Sequence, residues 1–153
     1  MTRALSPVLG TVLLLAITVA LAGTVGLVVF EDAAAEPSPR TTFSLSADAA
    51  ADRIVLTHEG GDTLSTTDLT IRVAVDGDPL DHQPPVPFFA ASGFHGGPIG
   101  PFNPATDPEW SAGERAGFEL ASTNAPLLDP GDTVEVTISS EGSVIARLET
   151  TAT

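Results

Sequence analysis

The pattern of apolar positions changes once along the chain, and the change separates two kinds of structure. From Leu5 to Phe30 the sequence is apolar, without a charged residue over twenty-six positions. As an α-helix with a rise of 1.5 Å per residue, this run would be about 39 Å long, more than the roughly 30 Å hydrocarbon core of a bilayer. The run therefore predicts one membrane-spanning helix over residues 5–30.

From residue 41 onward the apolar positions recur with a period of two, which is typical of strands with one buried face. The clearest strand is 69–75, and others are predicted over 42–46, 53–58, 118–120, 133–138 and 144–148. Turn sequences such as Asp76-Gly77 and Pro130-Gly131 separate several of them. Short strands without a helical period predict one all-β head over residues 41–153, an antiparallel sandwich of immunoglobulin-like form.

Two segments interrupt this division. Residues 31–40 contain Pro37 and Pro39, which stop a helix and favour extended chain, so they are interpreted as a linker. Residues 79–117 hold eight prolines together with four of the seven phenylalanines and the only tryptophan. Because a disordered segment would be poor in aromatics, we expect part of it to pack, either on the sandwich or a neighbouring subunit, or as a cover over one end of its own core.

The charge of the chain limits its partners. Twenty acidic residues against six arginines and no lysine give a formal net charge of -14. Such a chain repels nucleic acid and anionic lipid, so neither is an expected partner. The acids indicate either a cation-binding or recognition surface or solubility in very high salt, and the absence of lysine favours the second reading. There are no cysteines, which excludes disulfides and thiol chemistry.

No residues are nominated for catalysis, a cofactor or a metal, and the chain is not expected to be an enzyme. His58, His82 and His95 lack a metal-ligand spacing, and His58 is interpreted as the end of a strand that bonds in a turn. The run Asp76, Asp78, Asp81 lacks the full pattern of a calcium loop, so turn formation is the better interpretation.

The flanks of the helix predict its orientation and leave three fates open. Arg3 precedes the run, whereas Glu31 and Asp32 follow it, which places the N-terminus in the cytoplasm and the head outside. The segment could be a secretory signal cut after Ala35, an uncleaved anchor, or a class III signal cut before the apolar run. The run exceeds the usual length of a signal-peptide apolar region, which disfavours the first.

The residues Arg3-Ala4-Leu5-Ser6-Pro7-Val8-Leu9-Gly10, followed by TVLLLAITVALA, resemble the N-terminal domain of haloarchaeal type IV pilins. The resemblance implies that a prepilin peptidase cuts between Ala4 and Leu5, so that residues 1–4 are the signal and the helix stays in the mature protein. Bacterial pilins carry a glutamate shortly after the cut, and Leu5 to Leu9 contains no acid, which fits the archaeal branch. Weaker similarity to haloarchaeal pilin heads is present around residues 58–69 and 130–134.

The resemblance implies a structural subunit of an archaeal type IV pilus-like filament, used for adhesion. It would be held in the membrane first, then self-assemble through its helices as a homopolymer or mixed pilin filament with the assembly machinery. Small residues would allow close helix packing: Ala16, Ala20, Ala22, Gly23 and Gly26. The alternative is a single-pass, membrane-anchored binding module that does not polymerise, and a third possibility is a secreted protein released after Ala35.

Overall fold

The computed structural model describes the backbone of residues 5–33 and 38–153, and the side chains of 7–23 and 38–153. The chain divides into an N-terminal unit, Met1–Pro37, and a head, Ser38–Thr153. This boundary lies inside the predicted linker.

The N-terminal unit contains one α-helix, α1, over Leu5–Ala33. It begins where the apolar run begins, with Pro7 in the first turn. The backbone N–H that proline lacks would have no hydrogen-bond partner within the helix at this position. It ends three residues beyond the predicted Phe30, since Glu31, Asp32 and Ala33 are compatible with a helix and the first proline after them is Pro37.

The head is built from strands and three short 3₁₀ turns. The strands are β1 Thr41–Asp48, β2 Arg53–Gly61, β3 Leu64–Ser65, β4 Leu69–Val75, β5 Asp78–Pro79, β6 Glu109–Trp110, β7 Arg115–Glu119, β8 Thr133–Ser140 and β9 Ser143–Thr151. All the predicted strands are confirmed. The strand 69–75 has the predicted bounds, those predicted over 42–46, 53–58, 133–138 and 144–148 are longer, and 118–120 overlaps a strand that ends at Glu119. The two-residue strands β3, β5 and β6 were not predicted, because two residues show no periodicity.

The strands form two main antiparallel sheets. One has the order β1-β2-β7 and the other β5-β4-β8-β9, while β3 and β6 pair separately. This order corresponds to the A-B-E and C′-C-F-G sheets of immunoglobulin domains, which confirms the predicted fold class. The last residue joins the two sheet edges, because the Thr153 amide donates to the Ala47 carbonyl at 3.1 Å and its carbonyl accepts from the Ala49 amide at 2.9 Å.

The core lies between the two sheets and follows from the alternation in the strands. In β4, the buried residues Leu69, Ile71, Val73 and Val75 alternate with more accessible ones, and β8 repeats this with Val134, Val136 and Ile138. Facing them from the first sheet are Ile54 and Leu56 of β2 and Ala116 and Phe118 of β7. One contiguous apolar cluster results, so the head has its own core without any disulfide.

Residues 79–117 cover this core rather than extending away from it. Phe88, Phe94, Phe102 and Trp110 are at most 6% exposed, whereas Phe89 is 67% exposed. Two of these rings pack against aromatic rings of the first sheet, with centroid separations of 5.3 Å between Phe94 and Phe118 and 4.9 Å between Trp110 and Phe43. Of the alternatives for this segment, packing on its own head is therefore the one observed.

Candidate assembly helix and head surface

Over residues 7–23, the helix α1 exposes apolar side chains on all sides. Every side chain described in it, from residue 7 to residue 23, is exposed. Among the large ones, Leu9 and Leu15 are 68% exposed and Ile17 is 48% exposed. An ordinary surface helix shows one apolar stripe and one polar face, and this helix has no such division.

The two threonine hydroxyls described in this helix do not create a polar face. Thr11 Oγ1 donates to the Val8 carbonyl at 2.9 Å, and Thr18 Oγ1 lies 2.9 Å from the carbonyls of both Leu14 and Leu15. Both hydroxyls are thus satisfied within the helix, as expected for threonines in an apolar environment. The side chain of Thr24 lies outside the described residues.

The small residues named for helix packing lie on open helix surface where they are described. Ala16, Ala20, Ala22 and Gly23 are exposed, and a methyl group added at Gly23 would meet no atom within 4 Å. The surroundings of Gly26 lie outside the described residues, as do Ala4 and the side chain of Leu5 at the expected cleavage site. The packing and cleavage roles of these residues stay predictions.

The described part of the chain lacks two further features. It contains no group of three or more His, Cys, Asp or Glu side chains that could hold a metal ion. Nor does a helix long and apolar enough to cross a membrane occur among the described residues.

The three histidines differ in burial. His58 is fully buried inside β2, three residues before its end, so the prediction that it ends a strand is wrong; it does bond in the turn that follows, through Asp62. His82 and His95 are exposed. Of the aspartate run, Asp76 forms a turn as predicted: Asp76 and Gly77 have φ of 51° and 85°, the left-handed pair that a tight hairpin requires between β4 and β5, whereas Asp78 lies in β5.

The first residues of the head form hydrogen bonds with the residue that follows β2. The Arg40 amide donates to Asp62 Oδ2 at 2.9 Å, and the Asp62 amide donates back to the Arg40 carbonyl at 3.0 Å. Gly61 lies against the Arg40 carbonyl so closely that no side chain would fit there. The linker therefore ends at a defined point, where Thr41 starts β1.

One shallow pocket of about 80 Å³ lies on the head, lined by residues 95–99, Phe118 and Glu119. Glu119 in its wall belongs to a half-exposed ion pair, in which Arg53 Nε donates to Glu119 Oε1 at 2.8 Å. Small-molecule sites usually enclose about 300–1,000 Å³, so this pocket is too small for a ligand of that kind.

Asn124, which no sequence pattern indicated, is a buried residue that joins its own loop to two points of the long segment 79–117. Its Oδ1 accepts from the amides of His82 and Ala125, and its Nδ2 donates to the carbonyls of His82 and Gly93. An asparagine in a polar loop carries no sequence signal of burial, so only the tertiary structure reveals this role.

These features define a class of protein: an apolar helix with uncovered sides, followed by an immunoglobulin-like head that has its own core. Residues 3–43 match the family described as archaeal type IV pilin, N-terminal, which confirms the predicted resemblance over that segment. The match supports a pilin subunit. Among curated proteins, no match to the chain was found.

Proposed function

We propose that this chain is the structural subunit of an archaeal type IV pilus-like filament that serves attachment to surfaces. The observation that carries the proposal is helix α1. It lies within residues 3–43, which match the pilin N-terminal family, and it exposes apolar side chains on all sides over residues 7–23. A helix of this kind needs an apolar environment on every side, and both a bilayer and a bundle of like helices supply one.

The cost of exposing apolar surface to water favours a route from the membrane directly to a polymer. Exposing apolar surface to water costs about 25 cal/mol per Å². Residues 5–30 would lie in the bilayer before assembly, with the N-terminus in the cytoplasm and the head outside. On extraction from the lipid, the same surface would be buried against the helices of neighbouring subunits, alone or with other pilins. The acidic heads would then form the outer surface of the filament.

Processing provides the first test. A prepilin peptidase would cut between Ala4 and Leu5 and leave the helix attached to the head. Intact-mass measurement of the protein from its native membranes or filaments should show a chain that begins at Leu5. A chain that retains residues 1–4 would contradict the class III signal, and one that begins at Glu36 would show a secreted protein instead.

Filament assembly provides the second test. In Gly23→Leu/Gly26→Leu the segment becomes more apolar, so membrane insertion should persist. The added bulk should hinder close approach of neighbouring helices, and overpacking commonly costs about 1–3 kcal/mol per site. Repeated along a polymer, this cost should shorten or abolish filaments in electron micrographs while the subunit stays in the membrane fraction. Val12→Leu, which changes an already large and exposed residue, is the control and should leave filaments unchanged.

The alternative is a single-pass binding module on the cell surface that does not polymerise. The self-contained head is compatible with it, since the core needs no neighbour. The two functions differ in the mature N-terminus and in filaments: an uncleaved chain that forms none, even with the assembly machinery and other pilins present, would favour the binding module.

A further inference from the structure

The outer face of the four-stranded sheet carries its charges in rows of like sign. The register places Arg72 and Arg147 on either side of Thr137, and in the adjacent row it places Glu135 directly opposite Glu149. All four charged side chains are exposed. They share the face that points away from the core, because the residues between them in each strand belong to or pack against the core cluster.

These four charged side chains form no ion pair within the head. Like charges directly opposite each other on neighbouring strands are destabilising. In the described part of the chain, the single ion pair joins Arg53 to Glu119, on the other sheet, and none of the four side chains takes part in it. Each row therefore presents charge of one sign to the outside, and no ion pair joins the two rows within the head.

The arrangement of the rows is self-complementary. The rows are two residues apart along the strands, roughly 7 Å. Consider two copies whose outer sheet faces pack together, related by a two-fold axis that lies between the faces, runs across the strands and passes midway between the rows. This axis places the arginine row of each copy over the glutamate row of the other. Arg147 of each copy then faces Glu149 of the second copy, and the contact occurs twice, as in any isologous interface.

We propose that this face pairs the heads of two copies of the chain, row against row, and that in filaments it holds neighbouring filaments side by side. The part about filaments rests on the proposed function. The charges favour a second copy as the partner of this face. Residues 38–153 carry seventeen acids and five arginines, so two heads repel each other in most orientations. Two of the five arginines lie in this one row, which makes it a place where an acidic head can be attracted. Exposed ion pairs are individually weak, but repetition along two filaments makes their sum effective.

The test compares bundles of filaments in electron micrographs of four variants of the full-length chain, in one buffer. Arg147→Glu and Glu149→Arg should each abolish bundles while single filaments remain. The double variant Arg147→Glu/Glu149→Arg should restore them, because the two-fold pairing again sets opposite charges against each other. Arg115→Glu, at an exposed arginine on the other sheet, is the control and should bundle like the wild type.

The signs of these effects separate the proposal from its competitors. Glu149→Arg makes the head less acidic, so a general repulsion between heads predicts more bundling, as does recognition of an acidic glycan; either result overturns the reciprocal pairing. Failure of the double variant to restore bundles, equal loss in Arg115→Glu, or wild-type filaments that never bundle would overturn it as well.

A second measurement does not depend on filaments. Because the chain has no cysteine, Thr137→Cys introduces a single thiol between the two arginines. In detergent micelles, a bis-maleimide with a spacer of about 10 Å, the usual separation of packed sheets, should cross-link the full-length chain into dimers. Thr42→Cys, exposed on β1, should remain monomeric. If the wild type forms no filaments, the proposed function fails, whereas the pairing is still decided here: absence of Thr137→Cys dimers overturns it.

Discussion

The His58 ring donates from Nε2 to the carbonyl oxygen of Asp62 across 2.9 Å. A carbonyl only accepts hydrogen bonds, so this contact assigns the proton to Nε2, and the buried Nδ1 has no partner within the described residues. The ring also packs edge-on against Phe43 and Trp110, with centroids 5.1 Å and 5.9 Å away. His58 thus links the turn that receives the linker to the aromatic part of the core.

Removing this ring should destabilise the head. We expect His58→Ala to lower the free energy of unfolding by about 2–4 kcal/mol, because it leaves a cavity beside Trp110 and removes the bond to Asp62. Trp110 is the only tryptophan and is fully buried, so its fluorescence during denaturation reports on the head alone. His95→Ala, at an exposed histidine, should change stability by less than about 0.5 kcal/mol. Equal effects of the two variants would contradict the structural role of His58.

Gly100 and Gly97 allow backbone strain to be separated from a steric clash. Both have left-handed φ, 60° and 75°, where alanine costs roughly 1–2 kcal/mol. A methyl group at Gly100 would overlap the backbone carbonyl of Arg115, whereas at Gly97 it would meet nothing within 4 Å. Gly100→Ala should therefore destabilise the head clearly more than Gly97→Ala in the same Trp110 fluorescence assay. Equal losses would show that strain alone accounts for both.

Asn124 should tolerate no change in its hydrogen-bonding groups. Asn124→Asp keeps the shape but loses the Nδ2 donor to the carbonyls of His82 and Gly93, and each unsatisfied buried group costs about 1–3 kcal/mol. The matched control is Asn103→Asp, where Oδ1 accepts locally from the Ala105 amide and the carboxylate preserves that bond. Thermal unfolding of the two variants should show a large loss for the first and little change for the second. A stable Asn124→Asp would mean that its loops are held by other contacts.

The acidic composition should make the head depend on salt. Residues 41–153 carry seventeen acids and four arginines, and lower ionic strength leaves their repulsion less screened. We expect the head without residues 1–40 to fold with a β-type circular dichroism spectrum in high salt, and its denaturation midpoint to fall on dilution into low salt. A helical spectrum would contradict the sandwich, and a midpoint independent of salt would contradict the halophilic interpretation of the acids.

Elements with a strong periodic pattern were predictable from the sequence. The helix α1 followed from twenty-six positions without a charge, and strands such as β4 and β8 from their alternation, because burial of one face imposes a period of two. The aromatic content of residues 79–117 was enough to predict packing. It was not enough to choose between the head and a neighbour, since both would bury Phe102 and Trp110.

What only the tertiary structure decided is how residues distant in sequence meet. Asn124 reaches Gly93 and His82 through a loop arrangement that no local pattern encodes. Arg72 and Arg147 are seventy-five positions apart, and alternation alone places each on an outer face; their common row depends on how β4, β8 and β9 align. Apolar burial determines which face of a strand points inward, whereas the register between strands is set by turns and by the packing of the whole core.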